Sequence, residues 1–520
     1  MSLSDPPAFD TQRTRELLQS ALDFKKDAGA THTPTSRSFL PSRHFRALNP
    51  DYPLVLGGRG AGKTHWARAL TSPGDLAVVL QAHQEQGVRM EGAVVSFFQR
   101  AQVHIGYDEN SRAGELPSRE EFHRLLGKKY TAANIWKAIV AFRVWQGDDA
   151  ATFTALSDWE SRVSWITRNA LETEQRFSRC NQIFADAPRL VVFDAIDTTG
   201  EDWAELTQIT KGLLECLLYF RGFVGIRLKA FLRPDTLEPP EVWSFRDSSK
   251  LRQDTFELTW KTNELYALVW HVLANHEESG SFRDETTSLP LHEHIDAFRN
   301  RREDRICWEQ YAGTWVLPNR LRNVESVQEL VLHCITGPRI FRTTPYKWLI
   351  AMLQDSRAQV SPRSFLTAFH KAAEHAAPED DHGYALPQKA LAAGVQQAAL
   401  HRTTELAEDH VWIGIALGAL NGLAVPAYWD QVLHAWAEAK VVARIRKQCS
   451  GQRKLLPRSL GLDLGSLSEE RQLEGLRNEL MGLGIFFIRN DGRIDLPEVI
   501  RIGYGLRRRG AVRPPARKPF

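Results

Sequence analysis

Gly57-Gly58-Arg59-Gly60-Ala61-Gly62-Lys63-Thr64 decides how this chain is read. The stretch satisfies G-x-x-x-x-G-K-[ST] at every position, with an apolar run at 52–56 before it and the helical sequence THWARALTS after it. A short apolar run bounded by glycine reads as a buried parallel strand, so the local order is strand, loop, helix. Backbone N–H groups converge on phosphate oxygens only where side chains are absent from the tight turns. The helix that follows aims its free N–H groups and dipole at the anion. Lys63 then supplies a cation for the β- and γ-phosphates, and the Thr64 hydroxyl is a ligand for Mg²⁺. Gly57 through Thr64, together with His65, are the expected nucleotide-binding residues, and ATP with Mg²⁺ is the expected cofactor pair.

A magnesium site beside such a loop needs a carboxylate on a rigid support. Leu190-Val191-Val192-Phe193-Asp194 offers one, an apolar strand ending in Asp194, which would hold the metal through water. The reading requires Asp194 next to the glycine loop and the two segments on adjacent strands, and non-adjacent strands would count against it. Ala195 follows, where a glutamate would polarise an attacking water. Asp197 is the candidate for that task, or else a cap opening the segment TTGEDW. Arg233 closes the run Ala230-Phe231-Leu232-Arg233, and a guanidinium at the C-terminal end of a parallel strand is placed to meet phosphate. The alternative for it is a surface salt bridge. Ser361-Pro362-Arg363 is a helix start, with Ser361 as N-cap and Pro362 in the first turn.

Three of these elements resemble a known group. Residues 193–197, FDAID, look like the Asp-small-apolar-Asp pattern of NACHT and KAP ATPases, in the STAND class of P-loop NTPases related to AAA+ proteins. Thr198 stands where those families continue with Glu or Arg. AFLRP at 230–234 is similar to the strand-end arginine-proline of the same class, and this implies that Arg233 senses the γ-phosphate. VSPRSFLTAF at 360–369 resembles the sensor 2 helix of AAA+ proteins of the origin-recognition and clamp-loader kind, and this implies that Arg363 faces nucleotide from a lid. The likeness covers 50–70, 186–235 and 355–375 in detail and points to a prokaryotic source. It implies an ATP hydrolase that converts nucleotide state into conformational change, with Lys63, Asp194, Asp197, Arg233 and Arg363 as its working residues and slow turnover because of Ala195.

The rest of the chain frames that core. The expected fold class is α/β, a parallel-sheet P-loop NTPase core with a helical insertion, a helical lid and a C-terminal winged-helix-like domain. The boundaries read as a polar lead-in with one helix at 1–45, the P-loop domain at 46–257, the lid at 258–400, the winged-helix-like domain at 401–510 and a basic tail at 511–520. Residues 75–80 read as a second strand, 90–185 as a largely helical insertion with helices at 132–145 and 158–184, and 203–219 as a helix before a strand at 223–232. In the last domain, helices are expected at 411–421, 427–447 and 469–483, then a hairpin turning at Asn490-Asp491-Gly492.

Composition narrows the function classes. A net charge of +3 over 520 residues gives the whole molecule no polyanion-binding character. The five scattered cysteines contain no Cys-x-x-Cys pair and read as buried reduced thiols of a cytoplasmic protein. The N-terminus lacks the apolar run of a signal peptide, and 411–429 is interrupted by glycines and a proline, so no membrane span is expected. His292-Glu293-His294 lacks a third spaced ligand for a metal. Trp136, Trp145, Trp159 and Trp165 read as core. Arg299, Arg301, Arg302, Arg320 and Arg322 read as solvated basic faces, with an arginine finger for a neighbouring subunit of a homo-oligomer as the sharper alternative.

Two roles remain for such an ATPase. One is a regulatory or defence switch acting on a partner protein. The other is a DNA-transaction ATPase, gripping DNA through Arg489 and Arg493 on the hairpin and Arg507, Arg508 and Arg509 leading into the tail.

Overall fold

The computed structural model describes residues 7–23, 39–85, 92–108, 115–128, 130–200, 202–298, 305–311, 313–376, 383–449, 456–457 and 468–509. They form two compact units, Leu40–Thr259 and Met1–Phe39 with Trp260–Phe520.

The first unit is built on five parallel strands: β1 (Leu54–Leu56), β2 (Gln102–Tyr107), β3 (Arg189–Phe193), β4 (Ile226–Leu232) and β5 (Thr255–Glu257). Their order across the sheet is β2-β3-β4-β1-β5. Side chains alternate along a strand, so each strand feeds two cores. Val55, Leu190, Val192, Phe231 and Phe256 enter one core with Trp66, Leu70 and Phe98. Leu54, Val191, Phe193, Leu228 and Leu232 enter the other with Trp136, Ile139, Phe177 and Leu213. Apolar residues on both faces are what a helix-covered parallel sheet demands.

Local signals start the covering helices. Ser118, Thr131, Asp158 and Asp202 each accept a hydrogen bond from the backbone N–H three residues on, opening Arg119–Gly127, Ala132–Val144, Trp159–Arg168 and Trp203–Phe220. Trp136 Nε1 donates to Ile209 O at 3.0 Å, tying Ala132–Val144 to Trp203–Phe220. Gly212 permits that approach, since a Cβ there would lie 2.5 Å from Ala132 Cβ.

The structure departs from the sequence reading in several places. Residues 75–80 are not a strand but part of the helix Pro73–Glu85, with Leu76 and Val79 buried one turn apart. A short apolar run does not by its period separate strand from helix. Conversely, β2 lies inside the interval read as helical insertion. It is an edge strand with mixed burial, so it lacks the apolar signature of β3. The expected helix at 158–184 breaks at Asn169 into Trp159–Arg168 and Ala170–Ile183. That at 427–447 breaks at Lys440, held at φ 49°, into Trp429–Glu438 and Val441–Gln448. Cys307 is exposed, while Cys180, Cys216, Cys334 and Cys449 are buried.

The second unit is mainly helical. The N-terminal helix Thr11–Ala21 is capped by Asp10 and buries Leu17 and Leu18 in a core shared with Thr262–Ala274 and Pro362–His375. A separate apolar cluster organises the C-terminal part around Trp412, Trp436, Leu476 and Phe486. There the helix Glu469–Gly482 leads into an antiparallel hairpin of Phe487–Ile488 and Ile494–Asp495, turning through Gly492 at φ 78°. Arg299, Arg301 and Arg302 and the basic tail at 511–520 lie outside the described residues. Among the described residues no helix is long and apolar enough to cross a membrane.

Candidate functional site

Parallel strands bring their C-terminal ends to one edge of the sheet, and the glycine loop, Asp194 and Arg233 leave from there. β1 runs into Gly57, β3 into Asp194 and β4 into Arg233. Gly57 N donates to Leu232 O at 3.1 Å, which fixes the start of the glycine loop against the end of β4. Gly60 and Gly62 sit at φ 79° and 106°, backbone angles that L side chains resist. Gly62 is the N-cap of the helix Lys63–Thr71, so the loop delivers the chain to a helix start as the motif requires.

The expectation that the glycine loop and Asp194 leave neighbouring strands is wrong. β4 lies between β1 and β3, and β1 pairs with β4 and β5. The condition as stated is not met, yet the two segments still meet, because the helix that follows the loop contacts both β4 and β3. The Asp194 carboxylate accepts a hydrogen bond from the Thr64 side chain and another from Ala195 N. Burial raises its pKa above the usual carboxylate value, and those hydrogen bonds, with Lys63 nearby, pull it back. Two oxygen donors suited to a hard divalent cation thus stand side by side.

Lys63 folds onto its own loop. Its Nζ donates to Gly57 O at 2.9 Å and Gly58 O at 3.2 Å. Burial lowers its pKa, and of its charged neighbours Asp197, Asp194 and Asp235 raise it while Arg233 lowers it. Arg233 is held from two sides. Nε and Nη2 donate to the two carboxylate oxygens of Asp235 at 3.1 and 2.8 Å, and Nη1 lies 3.5 Å from Asp197 Oδ2. The site is therefore a cluster of two cations and three carboxylates. Asp197 enters it as the counter-ion of Arg233, on a short 3₁₀ turn, Ile196–Thr198, that follows Ala195 at φ 57°.

Asp235 escaped the sequence reading. Its only signal is its position two residues after Arg233, and whether such a carboxylate turns back depends on the 3₁₀ turn Pro234–Leu237 that Pro234 opens. His65 takes a different place from the one expected: its ring packs edge-on against Trp66, and its charged neighbours are Asp75 and Arg68, not the acids around Lys63. Arg363 belongs to the second unit. It lies at the start of Pro362–His375, is 61% exposed and pairs with Glu405 at 2.7 Å. Lys63, Thr64, Asp194, Asp197 and Arg233 are brought together in one unit, with Arg363 in the other. Of the finger candidates, Arg322 is buried against the ring of Phe39, with its pKa pushed down to about 10 by burial, and Arg320 lies over Phe298.

The C-terminal arginines are also engaged. Asp495, almost fully buried, accepts from Arg489 at 3.2 Å and Arg508 at 2.7 Å. Arg493 grips Asp491, and Arg508 also reaches Glu498. Arg509 donates to Gln431 at 3.4 Å, and Arg507 is exposed. On the helix Glu469–Gly482 the exposed side chains include Glu469, Glu470 and Glu474 against the single cation Arg471.

No family model matches the chain, and the curated proteins hold no significant match. Among solved structures, the ORC2 protein of Aeropyrum pernix, in its ADPNP and ADP complexes, aligns over 97% of each chain at 13% identity with a TM-score of 0.27. At that score the likeness carries no weight for fold or function.

Proposed function

We propose that this protein is a MgATP-binding ATPase, AAA+/STAND-like, in which nucleotide state drives a conformational change that acts on a partner protein as a regulatory or defence switch. The observation that carries the reading is the Thr64–Asp194 hydrogen bond beside a glycine loop whose lysine satisfies itself on the loop's own carbonyls. When bound, MgATP supplies the electrophilic phosphorus for in-line displacement by water. The tasks of the protein follow from the geometry. Loop amides between Gly57 and Thr64 hold the phosphates. Lys63 exchanges two carbonyl acceptors for phosphate oxygens, a charge-assisted and stronger pairing. Thr64 and Asp194 offer oxygens to the cation. Arg233 reaches phosphate only by loosening from Asp235 and Asp197, so occupancy of the site is coupled to the turn at 234–237. Turnover is slow, because Ala195 carries no base and Asp197 is engaged by Arg233.

A fluorescent ATP analogue should bind the purified protein in the presence of Mg²⁺, and phosphate release should be measurable. Lys63→Ala should lower that release by at least about 100-fold. A wild-type protein that ignores ATP, or a Lys63→Ala variant that keeps full activity, ends the reading. The alternative, a DNA-transaction ATPase gripping DNA through Arg489, Arg493, Arg507, Arg508 and Arg509, draws less support. Three of those five are tied to carboxylates, and the helix before the hairpin exposes more acid than base.

A further inference from the structure

The second unit carries a basic and aromatic turn that neither role uses. Between the helices Glu325–Thr336 and Pro345–Leu353 the chain reads GPRIFRTTP. Ile340 and Thr343 exchange both backbone hydrogen bonds, Ile340 N to Thr343 O at 2.9 Å and Thr343 N to Ile340 O at 3.1 Å. Phe341 and Arg342 are left at the tip of a two-residue turn. Turns of this kind need a positive φ and normally take Gly, Asn or Asp. Here Phe341 adopts φ 53° and is 65% exposed. Neither backbone preference nor core packing asks for phenylalanine at such a place.

Its surroundings supply a reason. The ring lies 6.0 Å from that of half-buried Trp348, inclined at 43°, so the pair offers aromatic surface to solvent. Arg339, Arg342 and Lys347 are all exposed, and among the described residues no carboxylate pairs with any of them. Residues 337–348 contain no acid. Exposed cations with no acid partner among the described residues, beside an exposed phenylalanine and a half-buried tryptophan, make a surface for an anionic polymer with planar faces. A bare anion would not need the rings, and an apolar protein partner would not need three cations.

We propose that the 337–348 turn binds single-stranded nucleic acid, with Phe341 and Trp348 stacking on bases and Arg339, Arg342 and Lys347 contacting phosphates. Unstacked bases are required, because a duplex keeps its base faces covered.

The test is fluorescence anisotropy with the full chain, a labelled oligothymidylate 20-mer and the same 20-mer annealed to its complement, over a salt series. The single strand should bind more tightly than the duplex. Phe341→Leu should weaken it by at least about fivefold, the effect of losing one stacked base. Arg339→Ala with Arg342→Ala should weaken it further and flatten the salt dependence by about 0.7 for each phosphate no longer neutralised. All three positions are exposed, and matching thermal melts establish that the variants are folded. Absence of binding overturns the proposal. So does equal affinity for duplex, Phe341→Leu binding as wild type, or competition by inorganic polyphosphate that is indifferent to Phe341, which would make the turn a mere charge patch. Loss of binding on truncation at residue 510, with the turn variants unaffected, overturns it as well.

Discussion

The cations at the glycine loop and those on the 337–348 turn are treated in opposite ways. Lys63 and Arg233 stand half-buried among Asp194, Asp197 and Asp235, each with its charge answered by an acid or a carbonyl. Arg339, Arg342 and Lys347 stand in solvent with no acid near them in sequence. The difference follows from the cost of burying charge. A guanidinium with 15% of its side chain exposed needs a partner to be tolerated, whereas an exposed one is hydrated and leaves its charge available. A site whose cations are already answered by internal partners binds only a ligand that replaces those partners. A surplus on the surface attracts any suitable polyanion.

The largest expected effect tests this contrast directly. Arg233→Ala leaves Asp235 and Asp197 without their counter-ion in a mostly buried site and should destabilise the protein by about 2 kcal/mol in urea unfolding. Asp235→Asn in the same chain should recover part of that loss, with a coupling of about 1 kcal/mol in the double-mutant cycle. Arg342→Ala should change stability by less than about 0.5 kcal/mol. Comparable losses for Arg233→Ala and Arg342→Ala would dissolve the distinction.

Lys229 shows how far the rule of answered charge extends. It is fully buried in β4, and its Nζ donates to Asn49 O at 2.9 Å and Tyr52 O at 2.5 Å, carbonyls and not a carboxylate. Burial lowers its pKa to about 7. Between that value and the ordinary 10.5, the unfolded chain holds one more proton than the folded one, so stability rises with pH. The contribution is complete above the unfolded value and is lost as pH falls towards 7. The slope is at most about 1.4 kcal/mol per pH unit. Chemical denaturation between pH 7 and 8.5 should show it, below the range where the buried thiols of Cys216 and Cys334, both pushed up to about 12, act with the opposite sign. Lys229→Met should flatten the profile, and a slope that survives the substitution must come from another group.

The legible and illegible parts of the molecule divide along physical lines. The glycine loop, β1, β3, β4 and the helices Ala132–Val144 and Trp203–Phe220 could be read because each imposes its composition locally, whereas Arg119–Gly127 was lost in a polar stretch. The strand order could not, since which strand lies between β1 and β3 is decided by how the helices cross over. Hence Asp194 met Thr64 without the expected adjacency. β2 was hidden because an edge strand lacks the apolar run, and 75–80 misled because a short apolar run fits either period. Asp235 and Phe341 share one cause. In both, the decisive fact is a turn geometry that ordinary turn residues do not announce.

Phe341 yields the smallest expected effect and the sharpest separation of folding from function. A bulky residue at φ 53° carries backbone strain that glycine lacks, although glycine also loosens the unfolded chain. With 65% of the residue exposed, little burial is forfeited beyond the packing against Trp348. Relief of strain should therefore outweigh the other terms, and Phe341→Gly should leave stability unchanged or raise it by about 0.5 kcal/mol. Asp247, also at positive φ but with a polar side chain that tolerates such angles, should gain less from the same substitution. If Phe341→Gly instead lowers stability by more than about 1 kcal/mol, the ring is there to cover Trp348, and the turn is a packing element, not a surface kept exposed for a ligand.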